Sequence, residues 1–146
     1  MSEANKHVVK RVFEELWNQG NLSIADQLFA PNYAHHDPAS PDFGRGPESE
    51  RKSVNLYRGA FPDLRLTIEN IISEGDTVMA RWSCHATHKG DLPGGIAATG
   101  KRIDITGISV CRLTGGKIAE AWVQWDALGM MRQLGVIPAH TKAKTA

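Results

Sequence analysis

Apolar residues first recur along the chain at helical spacing. Between Glu3 and Gln19 they fall at Val8, Val9, Val12, Phe13, Leu16 and Trp17, one stripe of an amphipathic helix, and Gly20 supplies its C-terminal glycine. Residues Asn21 to Phe29 predict a second, short helix with Leu22, Ile24, Leu28 and Phe29 on its apolar face and Ser23 as a candidate cap; Pro31 ends it. An extended piece follows, Asn32-Tyr33-Ala34-His35-His36-Asp37-Pro38, and then a Pro/Gly/Ser-rich loop from Ala39 to Pro47. A third helix spans Pro47 to Phe61. Its first turn tolerates the proline, and Val54, Tyr57 and Phe61 form one largely apolar face.

From Leu64 the period drops to two. Leu64, Leu66, Ile68 and Ile72 mark a half-buried strand that ends at the hairpin turn Glu74-Gly75-Asp76. Strands are predicted over Thr77–His88, Lys101–Leu113 and Lys117–Asp126, with a Gly/Pro-rich loop from Lys89 to Gly100 and a turn at Thr114–Gly116. A short helix, Ala127 to Leu134, is stopped by Gly135. Helices gathered at one end and hairpin-linked strands at the other predict an α+β fold. A curved, mostly antiparallel sheet would wrap around the N-terminal helices, forming a cone with an internal pocket. The chain reads as one such domain over residues 1–146, with 136–146 a loose polar tail.

Strand alternation sorts the pocket candidates. Val78, Ala80, Trp82, Cys84, Ala86 and His88 share one mostly apolar face, and Ile103, Ile105, Ser109, Cys111 and Leu113 another. On the last strand, Ile118, Glu120, Trp122, Gln124 and Asp126 share a face whose polar groups suit a pocket wall better than a core. Asp126 has two readings from its position: a helix cap, or an acid/base at the pocket.

Composition narrows the classes. Hydrophobic residues make up 41% and charged residues 23%, as in an ordinary globule. Lysine and arginine number 17 against 16 acids, a formal net charge of +1, which leaves no electrostatic footprint for nucleic acid or a membrane surface. No apolar run is long enough to span a bilayer, and the N-terminus has no signal-peptide order. Cys84 and Cys111, in separate strands, read as small buried hydrophobes in a reducing compartment. A cytoplasmic protein is expected, and the Asn21-Leu22-Ser23 sequon then carries no meaning.

Several motifs fail on chemistry. Gly95 to Lys101 matches the first seven positions of a phosphate loop, but Arg102 replaces the metal-binding hydroxyl and a strand follows instead of a helix. His85 and His88 point to opposite faces of a strand, and the adjacent His35 and His36 also diverge, so no metal site is expected.

Three stretches carry a family resemblance. They are the run from Gly107 through Gly115-Gly116-Lys117-Ile118-Ala119-Glu120-Ala121-Trp122 and Asp126 to Leu128-Gly129-Met130-Met131-Arg132-Gln133-Leu134-Gly135, the segment Asn32 to Pro38, and Thr87-His88-Lys89-Gly90-Asp91. Together they resemble the SnoaL-like polyketide cyclases, or ester cyclases, whose fold is the nuclear-transport-factor-2-like cone. The resemblance implies an intramolecular aldol ring closure on an aromatic polyketide ester, with no metal or organic cofactor. It implies Asp126 as acid/base, with His88 as a second catalytic group. Tyr33, His36, Trp82, Ser109, Trp122 and Gln124 are then the substrate-binding candidates. Where the best-known cyclases have a histidine in the strand around Ile108–Arg112, this chain has none. Among Trp82, Trp122 and Trp125, Asp126 would lose solvation and gain basicity. The implied partners are an apolar or aromatic small molecule and a second copy of the chain in a homodimer. A non-catalytic binding module, or an isomerase or hydroxylation-type enzyme of the same fold, remains the alternative.

Overall fold

The computed structural model describes residues 2–138. Helix α1 (Ser2–Arg11) runs into a π-helix (Val12–Asn18); a 3-10 turn (Leu22–Ile24) leads to α2 (Ala25–Leu28) and strand β1 (Phe29–His36). Then come α3 (Pro47–Ala60), β2 (Arg65–Glu74), β3 (Thr77–Thr87), β4 (Arg102–Thr114), β5 (Lys117–Trp125) and α4 (Ala127–Gln133). The five strands lie in the order β1-β5-β4-β3-β2. All pairs are antiparallel except β1–β5, which is parallel. The fold is the α+β curved sheet that the two periodicities predict. Most of the expected tail, residues 139–146, lies outside the described residues. No helix among the described residues is long and apolar enough to cross a membrane.

Each side of the cone follows from local patterning. On β3 and β4 the predicted inward sets are buried from Val78 to Ala86 and from Ile103 to Leu113, and the helices cover them. The first helix departs from expectation by widening at Val12, so that the Gln19 amide reaches back five residues to the Glu14 carbonyl at 3.1 Å. A wider turn changes which side chains share a face, and Val12, Phe13 and Trp17 all reach the concave side of the sheet.

Strand β5 departs more consequentially. Leu113 pairs with Ile118, but Arg112 pairs with Glu120, so Ala119 is an extra residue in the ladder. Such a bulge shifts the alternation by one position. Beyond it Ala121, Val123 and Trp125 face inward, while Trp122 and Gln124 are exposed on the outer face.

The end of β3 is tied to the end of α3. The amides of Lys89 and Gly90 both donate to the Ala60 carbonyl, at 2.9 and 3.0 Å. A Cβ on Gly90 would lie 2.1 Å from the Gly59 carbonyl oxygen, backbone that cannot swing aside. Gly90→Ala should therefore lower stability by about 1–3 kcal/mol, read as a reduced midpoint in urea denaturation; an unchanged midpoint would show that this contact is not needed.

Candidate active site

The helices and the concave sheet line a half-open cavity of about 120 Å³. Its walls are mostly apolar, among them Phe13, Phe61, Leu66, Ile105 and Met130. Trp82 is also in the wall, and its indole N–H donates to the Ser109 hydroxyl at 3.0 Å. An apolar chamber with a few converging polar groups is the usual form of a small-molecule site.

The polar groups come from β1 and α3. Alternation along β1 and its extension puts Tyr33, His35 and Asp37 on the cavity side. On α3, Glu50 precedes Val54 by one turn, on the face that carries Ser53 and Tyr57 into the cavity wall. The His35 Nδ1 lies 2.6 Å from the Tyr33 hydroxyl and 3.4 Å from Glu50 Oε2, and the Tyr33 hydroxyl donates to the same Glu50 oxygen at 3.3 Å. Glu50 Oε1 accepts from the Trp17 indole at 3.1 Å. Asp37 accepts from the Trp125 indole, the Ser40 hydroxyl and the Ala39 amide. The remaining ring nitrogen of His35, Nε2, is buried without a hydrogen-bond partner, 4.0 Å from Asp37 Oδ2.

This geometry fixes the protonation states. Burial pulls the His35 value down, but the flanking Asp37 and Glu50 outweigh it, and the net result rises from 6.5 to about 10. His35 is therefore an imidazolium at neutral pH. Burial pushes the Asp37 carboxyl up, yet His35, Ser40, Ala39 and Trp125 together hold it below the usual carboxylate range. Burial and the nearby Glu50 charge push the Tyr33 phenol well up, so it stays protonated and can donate. Cys84 and Cys111 line the same cavity, and burial raises both thiols to about 12, which leaves them poor nucleophiles.

Of the residues singled out in the sequence, Tyr33, Trp82 and Ser109 line the cavity. The others lie elsewhere. Asp126 follows the bulge, is exposed, and caps α4 by accepting the Gly129 amide at 2.8 Å. Trp122 and Gln124 are on the outer face for the reason given above. His36 is one position out of phase with His35; it bonds Glu120 at 2.7 Å and stacks on Trp122 at 5.5 Å. His88 is fully buried but outside the cavity lining: its Nδ1 accepts the Thr99 amide at 3.1 Å and its ring lies against Phe61. It anchors the loop after β3. The cavity groups that the sequence reading did not single out are His35, Asp37, Glu50 and Trp17, and Trp125 entered it only as a neighbour of Asp126. The alternation Tyr33-x-His35-x-Asp37 was the available signal. Among the described residues, no cluster of three or more His, Cys, Asp or Glu side chains is arranged to hold a metal.

Comparison with known proteins settles the relationship. The family model described as SnoaL-like polyketide cyclase matches residues 7–134. The chain belongs to the SnoaL-like polyketide cyclase family. It is 32% identical over 135 residues to the aklanonic acid methyl ester cyclase DauD of Streptomyces sp. (strain C5), covering 88% of this chain and 80% of that one. Against the aklanonic acid methyl ester cyclase DnrD of Streptomyces peucetius it is 34% identical over 107 residues, 72% of this chain and 70% of that one. The solved structure of TsrD from Streptomyces laurentii superposes with a TM-score of 0.82 at 28% identity, covering 92% of this chain and 97% of that one.

The charge state of this family member's cluster gives a pH signature. The raised His35 value stabilises the folded state fully below the unfolded value of 6.5, and that contribution is lost as pH rises through about 10. The two thiols add a loss of the same sign only above their ordinary value of 9.0. Melting temperature should therefore fall between pH 6.5 and 9, and His35→Gln should flatten that fall. A wild-type and variant pair with parallel profiles across this window would contradict the assignment.

Proposed function

We propose that the protein closes a ring on a polyketide-like ester by cofactor-free acid/base chemistry in this cavity. The observation that carries the reading is His35: a cavity-lining imidazole whose Nε2 is buried without a hydrogen-bond partner, 4.0 Å from the Asp37 carboxylate. A buried unsatisfied donor costs about 1–3 kcal/mol, and a substrate carbonyl oxygen that accepts from it recovers that cost. The bond strengthens as the carbonyl becomes an oxyanion.

Glu50 is the base in this reading. Its Oε1 accepts one bond, from Trp17, and keeps a lone pair, whereas Asp37 is occupied by Trp125, Ser40 and Ala39. Glu50 takes a proton from the carbon next to a carbonyl. The resulting enolate carbon attacks a second carbonyl, forming the ring bond, and His35 gives its Nε2 proton to the new alkoxide. His35 Nδ1, 3.4 Å from Glu50 Oε2, keeps its proton throughout; once the product leaves, Glu50 loses its proton to solvent and His35 Nε2 regains one from solvent. The product has the mass of the substrate.

The test uses the substrate class named for the relatives. With aklanonic acid methyl ester, the wild type should give an isomeric ring-closed product by chromatography and mass spectrometry. Glu50→Gln and His35→Gln should lose roughly 100-fold or more in turnover, and Asp126→Asn should keep it. Loss of turnover in a folded Asp126→Asn protein, with the other two active, would return the acid/base role to Asp126. Tight binding without conversion would favour the non-catalytic module.

We also propose a homodimer through the outer face of the sheet. Met79, Val110 and Trp122 are paired in one row across β3, β4 and β5, and Ile108 lies in the next; Ile108 and Trp122 are each 42% exposed. Sedimentation equilibrium should give a dimer mass for the wild type and a monomer for the Ile108→Asp, Trp122→Asp double variant. A wild-type monomer would contradict the proposal.

A further inference from the structure

The cavity is open on one side, and the exposure of its wall marks the opening. Most lining residues are buried; Trp17, His35, Asp37, Tyr57, Val123 and Trp125 are only half-buried. These residues are contiguous. Trp17 lies against Tyr57, Tyr57 lies against Trp125, and Trp125 bonds Asp37, which stands 4.0 Å from His35. Val123 precedes Trp125 by two residues on the same face of β5. A contiguous half-exposed patch in an otherwise buried wall is a mouth, and His35 sits at it.

Three of the mouth residues are aromatic, and each comes from a different element: Trp17 from the π-helix, Tyr57 from α3 and Trp125 from the end of β5. The ring centroids of Trp17 and Tyr57 are 6.2 Å apart at an interplanar angle of 36°, and those of Tyr57 and Trp125 are 5.8 Å apart at 86°. The polar atom of each ring is already engaged. The two indoles donate to Glu50 and Asp37, and the Tyr57 hydroxyl lies 2.5 Å from the Ser40 hydroxyl. What the rings offer a ligand is therefore face and edge, in positions fixed before it arrives. A planar ring laid flat on Tyr57 would stand nearly perpendicular to Trp125, and stacked and edge-to-face contacts are both favourable.

We infer that Trp17, Tyr57 and Trp125 form an entrance subsite: with the ligand carbonyl held at His35, they grip a ring fused to the carbonyl-bearing one, by stacking and edge contacts at the mouth. This subsite rests on the proposed function in one respect, that the cavity is where substrate binds. Because the cavity is open here, the fused ring stays at the level of the collar and need not fit inside the chamber. The two tryptophans then have a second duty beside holding the carboxylates. Tyr57, which touches neither Glu50 nor Asp37 by a hydrogen bond, contributes through its ring alone.

Isothermal titration with two esters tests this: methyl salicylate, with one ring, and methyl 1-hydroxy-2-naphthoate, which adds one fused ring to the same hydroxy ester. Tyr57→Leu should weaken the naphthoate about fivefold more than it weakens the salicylate, the size expected of an aromatic pair. Tyr57→Phe, which restores the ring, should recover most of that factor. Trp17→Gln keeps a side-chain N–H for Glu50 but not the ring; it should show the same selective loss, and it guards against a folding failure of the leucine variant. Ala121→Phe, which fills the chamber from β5, should abolish binding of both esters. Equal losses for the two esters in Tyr57→Leu and Trp17→Gln, with Ala121→Phe still blocking both, would overturn the entrance subsite while leaving the cavity as the site. Binding of neither ester, or binding indifferent to Ala121→Phe, would overturn the cavity as the substrate site and the subsite with it.

Discussion

The half-buried charge of His35 between Glu50 and Asp37 is the constraint on which the rest of the site depends. An imidazolium in an apolar wall is stable only with its counter-charges at hand, because desolvation of an ion is costly and only good geometry offsets it. Here the two carboxylates come from different places. Asp37 sits just past β1, and Glu50 sits on the cavity face of α3. The cluster therefore ties a strand edge to a helix. Trp17 and Trp125 bond the two carboxylates, so the π-helix and the last strand are held to the same network. Each member is oriented by another, and in a low-dielectric interior such bonds support one another.

The cone supplies the setting. Apolar faces of β3 and β4 form one wall, and the helices cover them, so the polar cluster faces a chamber that is otherwise apolar. The bulge at Ala119 has a direct consequence for chemistry. It turns Trp125 inward to Asp37 and leaves Asp126 at the helix start, where its carboxylate serves backbone amides. Strand irregularities next to functional sites commonly re-aim a side chain in this way.

The fold was legible because its two periods are clean. Val8 to Trp17 follow a helical stripe, and Val78 to Ala86 and Ile103 to Leu113 alternate without interruption into the core. The π-helical turn and the Ala119 bulge were not legible, since each inserts one residue without a Pro or Gly to announce it. Tyr33, Trp82 and Ser109, singled out in the sequence, line the cavity; Trp82 and Ser109 stand on strands that pair with one another without a shift. His36 was chosen over His35 because adjacent histidines are indistinguishable without the phase of the strand. Glu50 was missed because a charge on a helix reads as solvent-facing; only its one-turn spacing from Val54 places it inward.

The most direct measurement is a titration of His35 by NMR, following its imidazole nitrogens with His35→Gln to assign them. A protonated ring persisting to a pKa of about 10 is the result the account predicts. A value at or below the ordinary 6.5 would mean that no imidazolium stands in the cavity wall, and would contradict the proposed chemistry at its first step.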